Sequence, residues 1–240
     1  MSPQDRIDRI IVQEIEDQDA QIARREEMMA LEILRTGKVI VEAPDFPRME
    51  VDFGRPAGHS IALIGGDRWG ESGISPFASL VAWAQMVHDN SGAHPAQVLL
   101  DPKAASLLLQ DTRLFQILDN RRQNGGDFQF AAQVTGAQGA EVVRLGAVGQ
   151  FEFWQYQQTY QDDAGAIQKM MPDYTVIMGG PGIEGYACYG AILDHASLQA
   201  TSRFPSMFDQ KDPSTIFAMT QSAPLPVPMR IEASFCATVR

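Results

Sequence analysis

The chain has 240 residues, 45% of them apolar and 20% charged, enough to bury a real core as one large domain or as two lobes. Its net charge of −11, from thirty acids against nineteen bases, argues against a dedicated nucleic-acid binder with a basic face. No apolar run approaches the roughly 20 residues that span a bilayer and no signal-peptide pattern begins the chain, so an intracellular protein is expected.

Ser2-Pro3 reads as an N-cap followed by proline at the first helical position. From there to Arg35 no glycine or further proline occurs. Ile7, Ile11, Ile15, Ile22, Met29 and Ile33 fall on one stripe, at spacings of 4, 4, 7, 7 and 4. The pattern predicts a continuous helix over residues 3–35, roughly 50 Å long, with the stripe against a small sheet and Gly37 as its terminator. A coiled-coil dimerisation helix is the alternative. Gln18 and Arg25 interrupt its seam, which weakens a strict heptad.

Strand-like runs at Lys38–Glu42 and Met49–Phe53 flank the turn Pro44-Asp45-Phe46-Pro47 and predict a hairpin over 38–53. Residues 54–73 are rich in glycine and polar side chains and read as a long loop anchored by Trp69; such loops are normally functional or mobile. A helix is expected over 76–90 with Phe77, Leu80, Val81, Ala84 and Val87 on one side, then a buried strand at Gln97–Leu100. Asp101-Pro102 caps a helix through Leu109, Asp111-Thr112 starts another ending near Arg121-Arg122, and Gln123 to Gly126 is a turn. Val142 to Tyr160 reads as β, with Phe151, Phe153, Trp154 and Tyr156 crowding one hairpin. Strands follow at Thr175–Met178, Tyr186–Leu193, Ile216–Met219 and Arg230–Val239, the last two separated by a breaker at Pro224, Pro226 and Pro228. This order fits neither βαβ alternation nor an all-β pattern, so the expected class is α+β.

Candidate chemistry is thin. Gly180-x-Gly182-x-x-Gly185 matches the dinucleotide fingerprint and follows a strand, yet the residues after Gly185 read as strand and open no helix. Pro181 also lacks a backbone donor, so a glycine-rich turn is expected rather than a nucleotide site. His59, His88, His94 and His195 are scattered. Asp194-His195 is the nearest approach to an acid–base pair, but neighbours in a strand face opposite ways. Cys188 and Cys236 show no metal-ligand spacing, so both are expected to be buried free thiols rather than zinc ligands or catalytic nucleophiles. Gly70-Glu71-Ser72-Gly73 has the wrong spacing for a nucleophile elbow. Asp162-Asp163 and Glu26-Glu27 are expected on solvated faces. The aromatic run 151–156 lacks interleaved Lys or Arg, which favours core or interface packing over base stacking. No catalytic, cofactor-binding or metal-binding residue is assigned.

A set of short motifs carries more information. It begins with Glu26-Glu27-Met28 leading to Gly37-Lys38, Val51-Asp52-Phe53-Gly54-Arg55, Trp69, Asp101-Pro102-Lys103 and Leu118-Asp119-Asn120-Arg121-Arg122. It continues with Pro172-Asp173, Tyr189-Gly190, Arg203-Phe204-Pro205, Asp212-Pro213 and Gln221-Ser222-Ala223-Pro224-Leu225. In the order and spacing of these landmarks, from about Ile10 to Ala223, the chain resembles the major capsid protein E family of lambda-like tailed phages.

The resemblance implies the Hong Kong 97-type capsid fold: a long spine helix, a peripheral domain, and an axial domain around the local symmetry axis. Residues 1–92 would form the first part of the peripheral domain (spine helix 3–35, hairpin 38–53, loop 54–73, helix 76–90). Residues 93–200 would be the axial domain and 201–240 the return to the peripheral domain. It implies a structural, non-enzymatic subunit of a phage or prophage head, without cofactors or membrane contact. Copies would assemble into hexamers and pentamers in the bacterial host cytoplasm and reside in the virion. They would enclose double-stranded DNA non-specifically, with decoration, scaffolding and portal proteins as further partners. An acidic wall would keep packaged phosphates from sticking.

Family members carry an N-terminal arm and an extended loop before the spine, and this chain begins almost at the spine. The expectation is therefore a monomer or loose ring in dilute solution, held by contacts below roughly 1,200 Å² through loops 123–127 and 161–172. Two other classes stay open on the sequence: a soluble oligomeric enzyme with 54–73 as a lid, and a helix-mediated binding or scaffold protein.

Overall fold

A computed structural model describes residues 3–43, 46–114, 133–134, 142–162, 164–194, 198–212 and 214–240. The expectations for Leu118–Arg122, the turn at 123–126, Asp163 and His195 lie outside the described residues. Helix α1 (Pro3–Thr36) is followed by strands β1 (Lys38–Ala43), β2 (Phe46–Asp52) and β3 (Ser60–Ala62), helix α2 (Pro76–Ser91), strand β4 (Gln97–Leu100) and helix α3 (Pro102–Leu108). Next come β5 (Gln133–Val134), β6 (Val142–Val148), β7 (Phe151–Tyr156), β8 (Thr159–Gln161), β9 (Ile167–Lys169) and β10 (Thr175–Gly179). The chain closes with β11 (Gly185–Tyr189), β12 (Ala191–Leu193), β13 (Leu198–Ala200), β14 (Phe204–Lys211), β15 (Ser214–Gln221), β16 (Pro224–Pro228) and β17 (Phe235–Thr238).

These elements gather into two compact units, Met1–Ala30 with Gly185–Val227, and Leu31–Glu184 with Pro228–Arg240. The larger unit is built on a seven-stranded sheet of order β3-β17-β10-β4-β7-β6-β5. β17 runs parallel to β3 and β4 parallel to β7, while β10 is antiparallel to both of its neighbours. The period of two in these strands divides the core. Val98, Leu100, Val176, Met178, Phe235 and Ala237 enter one buried cluster with α2 and α3. The alternate residues Leu99, Ile177 and Cys236 face a second cluster with Leu31, Tyr156 and Met171. The sheet is therefore apolar on both faces.

α2 starts where the sequence puts it. Ser75 caps it by accepting from Ala78 N–H, Pro76 follows, and Gly92 ends it in the left-handed region at φ 69°. Its buried face is Pro76, Leu80, Trp83, Ala84 and Val87, whereas the expected Val81 is 42% exposed. Trp83 takes that place because it stacks between Trp69, at 5.9 Å, and Phe235, at 5.0 Å between ring centroids.

The expected long loop at 54–73 is a correction. It contains β3, which pairs with β17, and short 3₁₀ turns at Ala57–His59 and Gly65–Asp67. Leu63 N–H donates to Thr238 O and Trp69 N–H to Val239 O, and Trp69 is fully buried. The segment is the edge of the sheet, which removes the lid on which the enzyme alternative rested. The last expected strand is also shorter, because residues Ile231–Ala233 form a 3₁₀ turn before β17.

In the smaller unit, α1 is continuous as expected. Ile11, Ile15 and Ile22 are half-buried and Met29 is buried; Ile7 departs from the expected buried stripe at 41% exposure. Three two-stranded ribbons accompany it: β11 with β16, β12 with β13, and β14 with β15. The expected strand Tyr186–Leu193 is two strands broken at Gly190, whose N–H donates to Ala223 O and where a Cβ would approach Ala223 Cβ to 3.3 Å. The proline breaker is itself strand β16. Prolines at alternate positions all withdraw their missing N–H from the same edge, leaving Leu225 and Val227 to pair on the other.

The unit cuts at 30/31, 184/185 and 227/228 differ from the expected lobes at 92/93 and 200/201. The reason is pairing across the chain, since β17 joins the sheet of β4 and β10.

Candidate assembly surfaces

The landmark motifs turn out to be contact partners. Gln18 on α1 donates from Nε2 to the Ala218 carbonyl at 3.0 Å and accepts at Oε1 from Thr220 N–H at 2.8 Å. These two backbone groups lie on one edge of β15, and the glutamine caps it in place of another strand. Eight residues further along α1, Glu26 receives two hydrogen bonds from the guanidinium of Arg203, at 2.8 and 3.3 Å. Asp19 lies 3.1 Å from Arg203 Nε on the other side. This fork raises the Arg203 pKa through the hydrogen bond to Glu26 and fixes the start of β14 against α1. Glu26 is therefore a structural anchor, which corrects the expectation that it belongs to a solvated pair with Glu27.

The landmark at 51–55 meets Gly37-Lys38. Gly37 sits at φ 78° and donates to Ile33 O at 2.7 Å, the left-handed cap of α1. Arg55 packs so closely beneath it that a Cβ on Gly37 would stand 2.7 Å from Arg55 Cβ. The Arg55 guanidinium donates to the carbonyls of Ile33, Leu34 and Arg35 at the helix end, adding to the Gly37 bond on Ile33, and to the Ser60 and Ser234 hydroxyls. Burial lowers its pKa, although a guanidinium stays charged. Lys38 pairs with Glu50 and Asp52 across β1 and β2.

A third junction joins Asp101-Pro102-Lys103 to Pro172-Asp173. Asp101 Oδ2 accepts from Lys103 N–H, capping α3, and from Tyr174 N–H, which is held at φ 60°. Lys103 and Lys169 both donate to Asp173 and hold its carboxyl below the ordinary range. Trp69, another landmark, is locked in the aromatic stack described above.

The residues weighed for chemistry are not brought together. Gly180 to Gly185 is a 3₁₀ turn at Pro181–Ile183 leading directly into β11, and a Cβ on Gly182 would meet Ala93 Cβ at 3.1 Å. His59 is fully buried and partnered, with Nδ1 on Ser234 O and Nε2 against Asn90 Nδ2. His94 stacks on Phe151, and His88 lies in the last turn of α2. Cys236 is buried, and that burial pushes its thiol to about 11; Cys188 is exposed, correcting the expectation that both are buried. Asp162 accepts from Ala164 and Ala166 N–H and closes the turn between β8 and β9. Phe151 and Phe153 lie in the core. Among the described residues, no group of three or more His, Cys, Asp or Glu could hold a metal ion, and no helix is long and apolar enough to cross a membrane.

What the sequence did not single out is the exposed apolar surface of the smaller unit. Phe208 and Phe217 face each other across β14 and β15 and stack at 4.9 Å, yet they are 51% and 39% exposed. Met207, Ile216 and Met219 on the same hairpin are exposed as well, as are Ile10, Val12, Tyr186, Leu193 and Leu198 elsewhere in the unit. Among its described residues only Met29 and Ile192 are buried. Two buried side chains are worth about 1.5–3 kcal/mol each. Ordering backbone costs roughly 1–2 kcal/mol per residue, so a helix and six strands with this little burial are an incomplete core. The sequence reading placed a strand at Ile216–Met219, within β15, but missed its partner, because β14 carries apolar residues on both faces.

Known proteins bear directly on this arrangement. The sequence profile described as phage major capsid protein E matches residues 1–239. The major capsid protein of Escherichia phage lambda is 29% identical over 225 residues, covering 90% of this chain and 64% of the relative. That of Enterobacteria phage P21 is 29% identical over 230 residues, with coverage of 91% and 64%. The chain thus spans a little under two thirds of the length of these curated relatives. A crystal structure of a capsid protein from an E. coli CFT073 prophage superimposes with a TM-score of 0.84 at 21% identity, covering all of this chain and 69% of that one. That likeness establishes the expected α+β capsid fold. With the family profile matched along essentially its whole length, the chain belongs to the phage major capsid protein E family.

Proposed function

We propose that this chain is the structural, non-enzymatic subunit of a phage or prophage head, and that copies associate into hexamers and pentamers of an icosahedral shell around double-stranded DNA. The observation that carries this reading is the exposed apolar surface concentrated on the smaller unit, above all the Phe208–Phe217 hairpin. Patches of this kind mark surfaces meant for a protein partner. Head-to-tail contacts between identical copies close into rings when the rotation permits. The larger unit, with its seven-stranded sheet, would be the axial lobe, and the smaller unit with most of α1 the peripheral lobe. The net charge of −11 suits a wall that must not hold packaged phosphates. The virion is the place this reading assigns, after assembly in the host cytoplasm; decoration, scaffolding and portal proteins would be further partners.

The test is association as a function of concentration. Light scattering on the purified chain should show assemblies larger than dimers. Phe208→Asp, on an exposed position, should shift them toward monomer while leaving the tryptophan fluorescence of the Trp69–Trp83 stack in the larger unit unchanged. Association that is indifferent to Phe208→Asp, or that stops at a two-fold dimer, contradicts the reading.

A further inference from the structure

We infer that folding of the smaller unit is coupled to assembly: in the isolated chain it opens readily, and it closes only when other copies cover its apolar side chains. The inference rests on the self-assembly reading for what does the covering. The weakness of the unit itself stands on its burial pattern. Among the described residues its strands occur only in pairs, and two-stranded ribbons are marginal in water without a third strand or a packed partner. Met29 and Ile192 are its only buried side chains among the described residues. The larger unit also has two-stranded ribbons, but it is built on a seven-stranded sheet that is apolar on both faces, within which all five residues of β10 are buried.

Helix α1 connects the two regimes. Its C-terminal end is held by Arg55 on three carbonyls, by the Gly37 cap and by buried Leu31 and Ile33. Towards its start, Ile7, Ile10 and Val12 are 41%, 66% and 56% exposed. Along one continuous helix, protection should therefore fall from Ile33 toward Ile10. The fastenings within the unit are polar and partly solvated: Gln18 on β15, and Arg203 on Glu26 and Asp19. They set the geometry of the closed form; the partly solvated ion pairs add little to its population, and the two Gln18 bonds add only about 1 kcal/mol each. A subunit built this way would present its interfaces in final form only to a growing assembly, which disfavours association of stray copies.

Hydrogen exchange with mass-spectrometric readout tests this on the intact chain, in dilute solution and at a concentration where light scattering shows association. In the dilute sample, peptides from β14, β15 and the first turns of α1 should exchange at least about 100-fold faster than those from β4, β10 and β17. In the associated sample the gap should narrow by about tenfold or more. Equal protection of both units in the dilute sample overturns the inference, as does association that leaves the gap unchanged; either result leaves the self-assembly reading standing. Failure to associate at any concentration overturns that reading, and the coupling with it.

Discussion

The side chain of Gln18 accepts a hydrogen bond from the backbone N–H of Thr220, 202 positions away, while donating to the carbonyl of Ala218. Read as a coiled-coil seam, position 18 is a defect; in the fold it is the residue that caps the open edge of β15. Gln18→Leu completes the apolar stripe and removes both bonds. We expect it to destabilise the smaller unit by about 1–2 kcal/mol, at roughly 1 kcal/mol per net hydrogen bond. Faster exchange of the Thr220 amide is the readout. A gain in stability would favour the dimerisation helix instead.

Two glycines separate backbone conformation from close packing. Gly37 and Gly54 both lie in the left-handed region, at φ 78° and 72°, but only at Gly37 would a Cβ clash, at 2.7 Å from Arg55 Cβ, whereas nothing lies within 4 Å of one at Gly54. Gly54→Ala should cost about 1 kcal/mol, for conformation alone. Gly37→Ala should cost about 2–4 kcal/mol, because Arg55 must also leave the end of α1. Urea unfolding followed by tryptophan fluorescence, which reports the Trp69–Trp83 stack, measures both. Equal losses would mean that Arg55 yields without penalty.

Thiol chemistry should be all or none. Cys188 is exposed, and Cys236 is buried with its thiol pushed to about 11. At pH 8 a disulfide reagent should modify one thiol per chain quickly and the second only after denaturation. Cys188→Ser should abolish the fast phase. A surviving fast phase in that variant would place Cys236 within reach of solvent.

Acid sensitivity should include a contribution from Asp173. Hydrogen bonds from Lys103 and then Lys169 depress its carboxyl pKa in the folded protein. A depressed carboxyl contributes stability above its unfolded value, near 4, and that contribution is lost as pH falls through the lower folded value. Urea midpoints measured from about pH 5 down to about pH 2 should fall less steeply for Asp173→Asn. Because the three side chains are solvent-accessible, about 0.5 M salt should shrink the difference. An acid slope unchanged by the substitution contradicts the assignment.

Legibility in the sequence followed the range of the interactions. α1 was readable because its 34 residues carry a recurrent apolar stripe, no internal breaker and a glycine stop. The cap Asp101 was readable because its partner, the Lys103 N–H, lies two residues away. The junctions were not: Arg203 and Glu26 are 177 positions apart, and Lys103 and Asp173 are 70 apart, so each motif stood alone until the fold paired them. β3 was hidden in a glycine-rich stretch because its pairing with β17 comes from the far end of the chain. β16 was hidden by its prolines, which read as a breaker unless their common edge is considered. Of the exposed hairpin only β15 was legible, as the run Ile216–Met219; β14 was not, since apolar residues on both of its faces break the alternation that marks a half-buried strand.

Electron microscopy of the purified protein over a range of concentrations tests the central claim most directly. A shell subunit should yield rings of five- and six-fold symmetry, or closed shells, with the smaller unit at the contacts between neighbours. Monomers or compact two-fold dimers at every concentration would contradict it.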